Sequence, residues 1–254
     1  MAKRPRQTPR HELPLLQLLP NFLTVGAICA GLTAIRFAFQ GNYELAVALI
    51  VLAAAIDGID GRIARLLKSE SAIGAELDSL ADFVNFGVAP GLILYLWALQ
   101  DARSGGWIVV LLFAICCVLR LARFNVGLKA GNGDGRFFTG VPAPAGALVV
   151  LLPLYISELM PTEPRFPPLA VGTYMVAIGL LMISRLPSPA LKSVTVYPEN
   201  AKFVVIGFVA LGAALLTYPW ATLVLLSLVY LLSLIWAWRA KRRLPTPPET
   251  TAGT

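Results

Sequence analysis

The 254 residues are 57% hydrophobic and only 14% charged, with a mean hydropathy of +0.73, whereas soluble domains carry about 25% charged residues. That balance excludes an ordinary water-soluble domain and points to an integral membrane protein. The formal net charge of +7 is distributed between apolar segments, with no basic, aromatic-interleaved surface domain, so it speaks for topology and contact with anionic membrane lipids and against nucleic acid.

Residues 1–19 read as a basic cytoplasmic arm, Lys3 to Arg10, leading into a short interfacial helix over 12–19. Pro14 and Pro20 interrupt any signal-peptide pattern and no A-x-A site closes the apolar stretch from Asn21, so that stretch is expected to stay as a first transmembrane helix. With about 20 apolar residues needed per span, eight windows qualify: 20–39, 44–66, 79–99, 107–125, 142–159, 168–184, 202–217 and 220–238. The expected fold is therefore an all-α polytopic bundle over residues 20–238 with about eight helices. Because the seventh window is short and meets the eighth at Tyr218-Pro219, the alternative is a helical hairpin after a six-helix catalytic core, with a count of six or seven helices. The proline-rich stretch 239–254 reads as a disordered cytoplasmic tail. No inverted repeat of the transporter kind is visible.

Eighteen of the 21 lysines and arginines fall in the N-terminal arm, the even-to-odd connections and the tail. The positive-inside rule then puts both termini in the cytoplasm. Cys29, Cys116 and Cys117 all sit in apolar runs, as core thiols do, and His11 is the single histidine. Any catalysis is left to carboxylates and arginines.

The chemistry concentrates in one frame, Asp57-x2-Asp60-Gly61-x2-Ala64-Arg65-x8-Gly74-x3-Asp78-x3-Asp82. Carboxylates at membrane depth cost roughly 2.5 kcal/mol or more each to insert and are retained where they are paired or metal-bound. Asp57 and Asp60 are three apart, Asp78 and Asp82 four apart, so each pair shares one helix face. Two helices can thus aim four carboxylates at one point, with Gly74 in the polar connection that turns the second helix back. Such an oxygen-rich site suits Mg2+ or Mn2+, and two ions would relieve the repulsion among four acids and create a phosphoryl-transfer site. Gly58, Gly61 and Ala64 would let a bulky ligand such as a nucleotide approach the helix, Arg65 would offer a phosphate its fork of donors, and Asp82 is the candidate base.

This frame resembles the signature of the CDP-alcohol phosphotransferase family at every specified position. The resemblance implies a membrane-embedded helical core, commonly a homodimer, in which Asp57, Asp60 and Asp78 hold divalent cations. Asp82 would contact metal and act as base, and Gly61, Ala64, Arg65 and Gly74 would surround the CDP moiety. Further stretches look like the phosphatidylserine synthase branch: Leu19-Pro20-Asn21-Phe22-Leu23-Thr24, the run from Asp82 to Pro90, Leu119 to Asn125, and Phe138 to Ala145. Asn85 and Val141 stand where that branch more often has Ser and Leu. The likeness covers roughly residues 18–160. It implies attack of the L-serine hydroxyl on the lipid-linked phosphorus of CDP-diacylglycerol, releasing CMP. Arg120 and Arg123 would hold the serine carboxylate or a lipid phosphate, or else only set topology; Asn125 would bond the acceptor, or else end a helix. Lys129 and Arg136 read as lipid-facing charges. Glycerol 3-phosphate, inositol phosphate and choline remain alternative acceptors, and a cation transporter is the alternative class.

Overall fold

In the computed structural model the described residues are 19–67, 72–129, 137–160, 166–184, 187–189 and 201–242. The basic arm, the interfacial helix expected before residue 19 and the tail beyond Arg242 lie outside them.

Helices α1 (Leu19–Phe39) and α2 (Tyr43–Leu67) form a hairpin whose turn is written in three residues. Gly41 takes φ +74, and the N–H groups of Gly41 and Asn42 close back on the carbonyls of Ala38 and Phe37, both at 3.0 Å. This satisfies the last carbonyls of α1 in a left-handed glycine cap. Asn42 then caps α2, its Oδ1 accepting from the Leu45 N–H at 3.1 Å. The two helices pack closely because their shared seam is built of small residues, Ala27, Ala30 and Ala34 against Ala46 and Ala53.

The next rod is longer than expected and is not a plain α-helix. It begins with α3 (Ala72–Asp82) and passes through a π-helical turn (Phe83–Val88) into α4 (Ala89–Leu94). A second π turn (Tyr95–Leu99) and a short 3-10 turn (Gln100–Ala102) complete it. Gly74, expected in the connection, lies instead in the first turn of α3. The first π turn is closed by the Ala89 N–H reaching back five residues to Val84 O. Helix α5 (Arg103–Lys129) returns along the rod. Tyr95 and Trp107 meet edge-to-face near the bend, ring centroids 5.4 Å apart.

The window 142–159 is broken into α6 (Ala143–Val150) and α7 (Leu152–Leu159). Pro153 has no N–H to continue the first helix, and the chain restarts with Leu154 and Tyr155 donating to Leu151 O at 3.0 and 3.2 Å. Helix α8 (Pro168–Ile183) follows. The segments β1 (Phe137–Thr139) and β2 (Pro187–Pro189) pair antiparallel, Phe138 opposite Ser188. Last come α9 (Ala201–Thr217) and α10 (Pro219–Arg242), a hairpin pinned where Thr222 Oγ1 reaches Ala214 O at 3.1 Å and Tyr218 O at 2.8 Å.

The core lies where the rod, α5, α6 to α8 and α10 meet, around Phe86, Ile93, Phe113, Leu154, Tyr155 and Met175. Among the described residues, four helices are long and apolar enough to cross a membrane: Leu19–Phe39, Ile73–Ala102, Ser104–Gly127 and Pro219–Arg239. Helix α2 matches them in length but carries five charged residues. Large apolar side chains face outward on α1, α5, α9 and α10, as a surface bathed in acyl chains requires. The protein is an all-α membrane protein.

Candidate active site

Helix α1 packs along α2 and also touches α3, so it holds the two acid-bearing segments side by side. Asp57 and Asp60 project from α2 and Asp78 from α3, and one carboxylate oxygen from each lies within 4.8 Å of the others. The spacing of three along α2 does what the sequence expected: both acids reach the same point. Asp82 stands one turn deeper on α3, its side chain at hydrogen-bonding distance from Asp57.

Thr24 completes the cluster and was not singled out in the sequence. Its hydroxyl shares its proton between Pro20 O, at 3.0 Å, and Asp60 Oδ2, at 3.2 Å. Asp60 is thereby fixed from α1 although only 4% of its surface is exposed. The signal available beforehand was the Leu19 to Thr24 stretch, but nothing in it named a partner 36 residues away.

The donor set fits a hard divalent cation. Oxygen ligands sit about 2.1 Å from Mg2+, so two on opposite sides stand about 4.2 Å apart, close to the 4.8 Å span of these three oxygens. Small closing motions would bring them to bonding distance. Bare acids so close together repel one another, and a cation is the ordinary means of holding them.

On α2, the space that a Cβ at Gly58 or Gly61 would enter is open, with nothing within 4 Å. A ligand could lie against the backbone there. Ala64 and Arg65 continue the same helix, but their side chains lie outside the described residues.

The residues read as acceptor contacts on α5 divide. Arg120 is half-buried, within electrostatic reach of Asp82 and Asp57 and of Tyr230 on α10. Its guanidinium carbon lies 5.5 Å from the Phe124 ring centroid. Arg123 turns away, donating from Nη1 to Ile183 O at 2.7 Å, and so caps the last turn of α8. Asn125 donates from Nδ2 to Ser79 Oγ at 2.9 Å, linking α5 to the helix that carries Asp78 and Asp82.

Below the aspartates, Asn85 is 1% exposed and its Oδ1 has no hydrogen-bond partner. It is packed onto Gly31 of α1, where a Cβ would stand 3.0 Å from Asn85 Cγ. The sequence marked Asn85 as a departure from the expected serine but gave no contact for it.

Residues 17–197 match the family model described as CDP-alcohol phosphatidyltransferase, and residues 202–234 match a second, CDP-alcohol phosphatidyltransferase 2. The chain is 41% identical over 256 residues to a CDP-diacylglycerol–serine O-phosphatidyltransferase of Mycobacterium leprae, covering 98% of this chain and 83% of that one. It is 34% identical to the enzyme of the same name from Bacillus subtilis, covering 70% and 93% respectively. An archaetidylserine synthase of Methanothermobacter thermautotrophicus is 33% identical over 67% of this chain and 69% of its own. An acid cluster reached by two helices, read together with these matches over most of its length, makes this chain a member of the CDP-alcohol phosphatidyltransferase family.

Proposed function

We propose that the protein transfers the phosphatidyl group of CDP-diacylglycerol to the hydroxyl of L-serine, giving phosphatidylserine and CMP. The observation that carries this reading is the convergence of Asp57, Asp60 and Asp78, in a chain whose relatives along nearly its whole length bear that enzyme's name.

Asp57, Asp60 and Asp78, with Asp82 beside them, would hold Mg2+ or Mn2+, two ions in all. Bound there, the metal supplies positive charge to the phosphoryl oxygens as the leaving group departs. Asp82 accepts the proton of the serine hydroxyl as its oxygen forms the new bond to the lipid-bearing phosphorus and the bond to the CMP oxygen breaks. Arg120 offers its planar fork to the serine carboxylate or to a lipid phosphate, the flanking Phe124 ring limiting its swing. Gly61, Ala64, Arg65 and Gly74 form the wall for the CDP moiety, with open space beside Gly61 supporting that assignment. Arg123 and Asn125, both engaged by protein partners, frame the acceptor side. Positioning and fixed charge supply most of the rate.

The reading puts the site at the cytoplasmic face of the cytoplasmic membrane, with residues 20–238 as the catalytic domain of a homodimer between a basic arm and a polar tail. Its support is the clustering of eighteen basic residues on one side of the expected spans.

The test is a product assay on purified, lipid-reconstituted protein given CDP-diacylglycerol and Mn2+ or Mg2+, with L-serine, glycerol 3-phosphate, inositol phosphate or choline in separate reactions. Serine-dependent phosphatidylserine and CMP, lost in Asp82→Asn, are the expected result. Product with another alcohol would overturn the acceptor, and no CMP under any condition would overturn the reaction.

A further inference from the structure

Among the contacts that join α5 to the acid-bearing rod, two flank the level of Asp82. At the deeper level Gly87 of the first π turn lies against Cys117, so close that a Cβ on Gly87 would stand 3.1 Å from the thiol sulfur. At the upper level Asn125 Nδ2 donates to Ser79 Oγ at 2.9 Å. Between these levels sit Asp82 on the rod and Arg120 on α5, with Asp78 one residue beyond Ser79. The Ser79 hydroxyl has one proton, and it goes to Ala75 O at 3.1 Å. Its oxygen is therefore free to accept, and the Asn125 amide on α5 donates to it. The α3 segment otherwise packs on α1 and on the π turn that follows it, so the Asn125 amide ties its α5 side at the upper level.

We propose that Asn125 is a positioning residue: through Ser79 it fixes the spacing between the α3 carboxylates and Arg120, and so sets the geometry of the cation site without touching the acceptor. The inference rests on the metal-site reading above and gives Asn125 a role that the acceptor reading does not. A partner that orients a ligand-bearing helix acts on metal affinity, typically by 10–100-fold, whereas an acceptor ligand acts on the KM for the acceptor.

The experiment measures Mn2+ binding by electron paramagnetic resonance on the reconstituted full chain without substrate, together with steady-state serine kinetics. The variants are Asn125→Ala, Ser79→Ala, their double, Asn125→Asp and Ser79→Thr. Both alanine variants should weaken Mn2+ binding about 10-fold, the double no further than either, with serine KM unchanged. Asn125→Asp keeps the shape but sets an acceptor against an acceptor, and should match Asn125→Ala. Ser79→Thr keeps the hydroxyl and should bind as the wild type does, which separates loss of the bond from loss of the fold. Unchanged Mn2+ binding in the alanine variants, additive effects, or a raised serine KM in Asn125→Ala with Ser79→Ala silent would overturn the proposal. Wild-type protein that binds Mn2+ but does not transfer to serine would overturn the acceptor reading alone, since the binding series still decides the role of Asn125. Wild-type protein that binds no Mn2+ would overturn both.

Discussion

Replacing Gly31 by alanine tests the packing beneath the aspartates. The new Cβ would collide with Asn85 Oδ1 and stand 3.0 Å from its Cγ and 3.4 Å from its Cα. Asn85 is 1% exposed, so its side chain has nowhere to swing, and either it leaves its rotamer or α1 moves off the π turn. Overpacking of this kind costs about 1–3 kcal/mol, and because Oδ1 has no hydrogen-bond partner, no lost bond adds to it. At about 2–4 °C per kcal/mol for a chain of this size, Gly31→Ala should lower the thermal midpoint by about 2–12 °C. Removing the obstacle should reverse the effect. In Gly31→Ala/Asn85→Ala the nearest remaining atom is Cα, 3.4 Å away, an ordinary van der Waals contact. The assay is thermal unfolding of the four proteins of the cycle in one detergent, with CMP release measured in parallel, because Asp82 stands one turn above Asn85. A Gly31→Ala protein as stable as the wild type, or one that Asn85→Ala fails to rescue, would refute the packing argument.

Other perturbations reach the site itself. Asp78→Asn should leave Asp57 and Asp60, with Asp82 beside them, as the carboxylates of the site and reduce both Mn2+ binding and CMP release by about 100-fold or more, read by paramagnetic resonance and product assay. Thr24→Val removes the hydroxyl held 3.2 Å from Asp60 Oδ2 and should raise the metal concentration for half-maximal activity about 10-fold, while Thr24→Ser preserves it. Arg120→Lys keeps the charge but loses the fork, and should raise serine KM by about 10-fold or more in initial-rate measurements. A KM unchanged in that variant would remove Arg120 from the acceptor site. Chelation with EDTA should abolish transfer, and added Mn2+ or Mg2+ should restore it.

The sequence displays the acids plainly because their spacing is local: three and four residues along a helix place carboxylates on one face whatever the tertiary context. The ends of α1 and α8 are legible for a similar reason, since proline, glycine and charge mark where apolar runs stop. Contacts between elements have no such local mark. Thr24 finds Asp60 across 36 residues and Asn125 finds Ser79 across 46, and no periodicity encodes either pairing. Arg123 looked like its neighbour Arg120 in the sequence, yet the end of α8 claims its guanidinium. The π turns escaped notice because Phe83 to Val88 is as apolar as any α-helical stretch and differs only in hydrogen-bond register. The break at Leu151 did carry a signal in Pro153, two residues inside the second piece.

The first π turn has a consequence for how the rod tolerates change in its length. A π turn is an α-helix that has absorbed one extra residue, and each α-helical residue advances the helix by about 100°. Asp78 and Asp82 lie before that extra residue, while Ile93 and Leu94, buried in the core, lie after it. The polar and apolar ends of one helix are thus held out of phase by about 100° relative to an unbroken α-helix. Deleting a single residue between Phe83 and Val88 would leave a more regular helix and unbroken hydrophobicity. It would also keep the two acids on the side that meets Asp57 and Asp60, whereas straightening the turn into an α-helix without losing a residue would carry them about 100° around the helix axis.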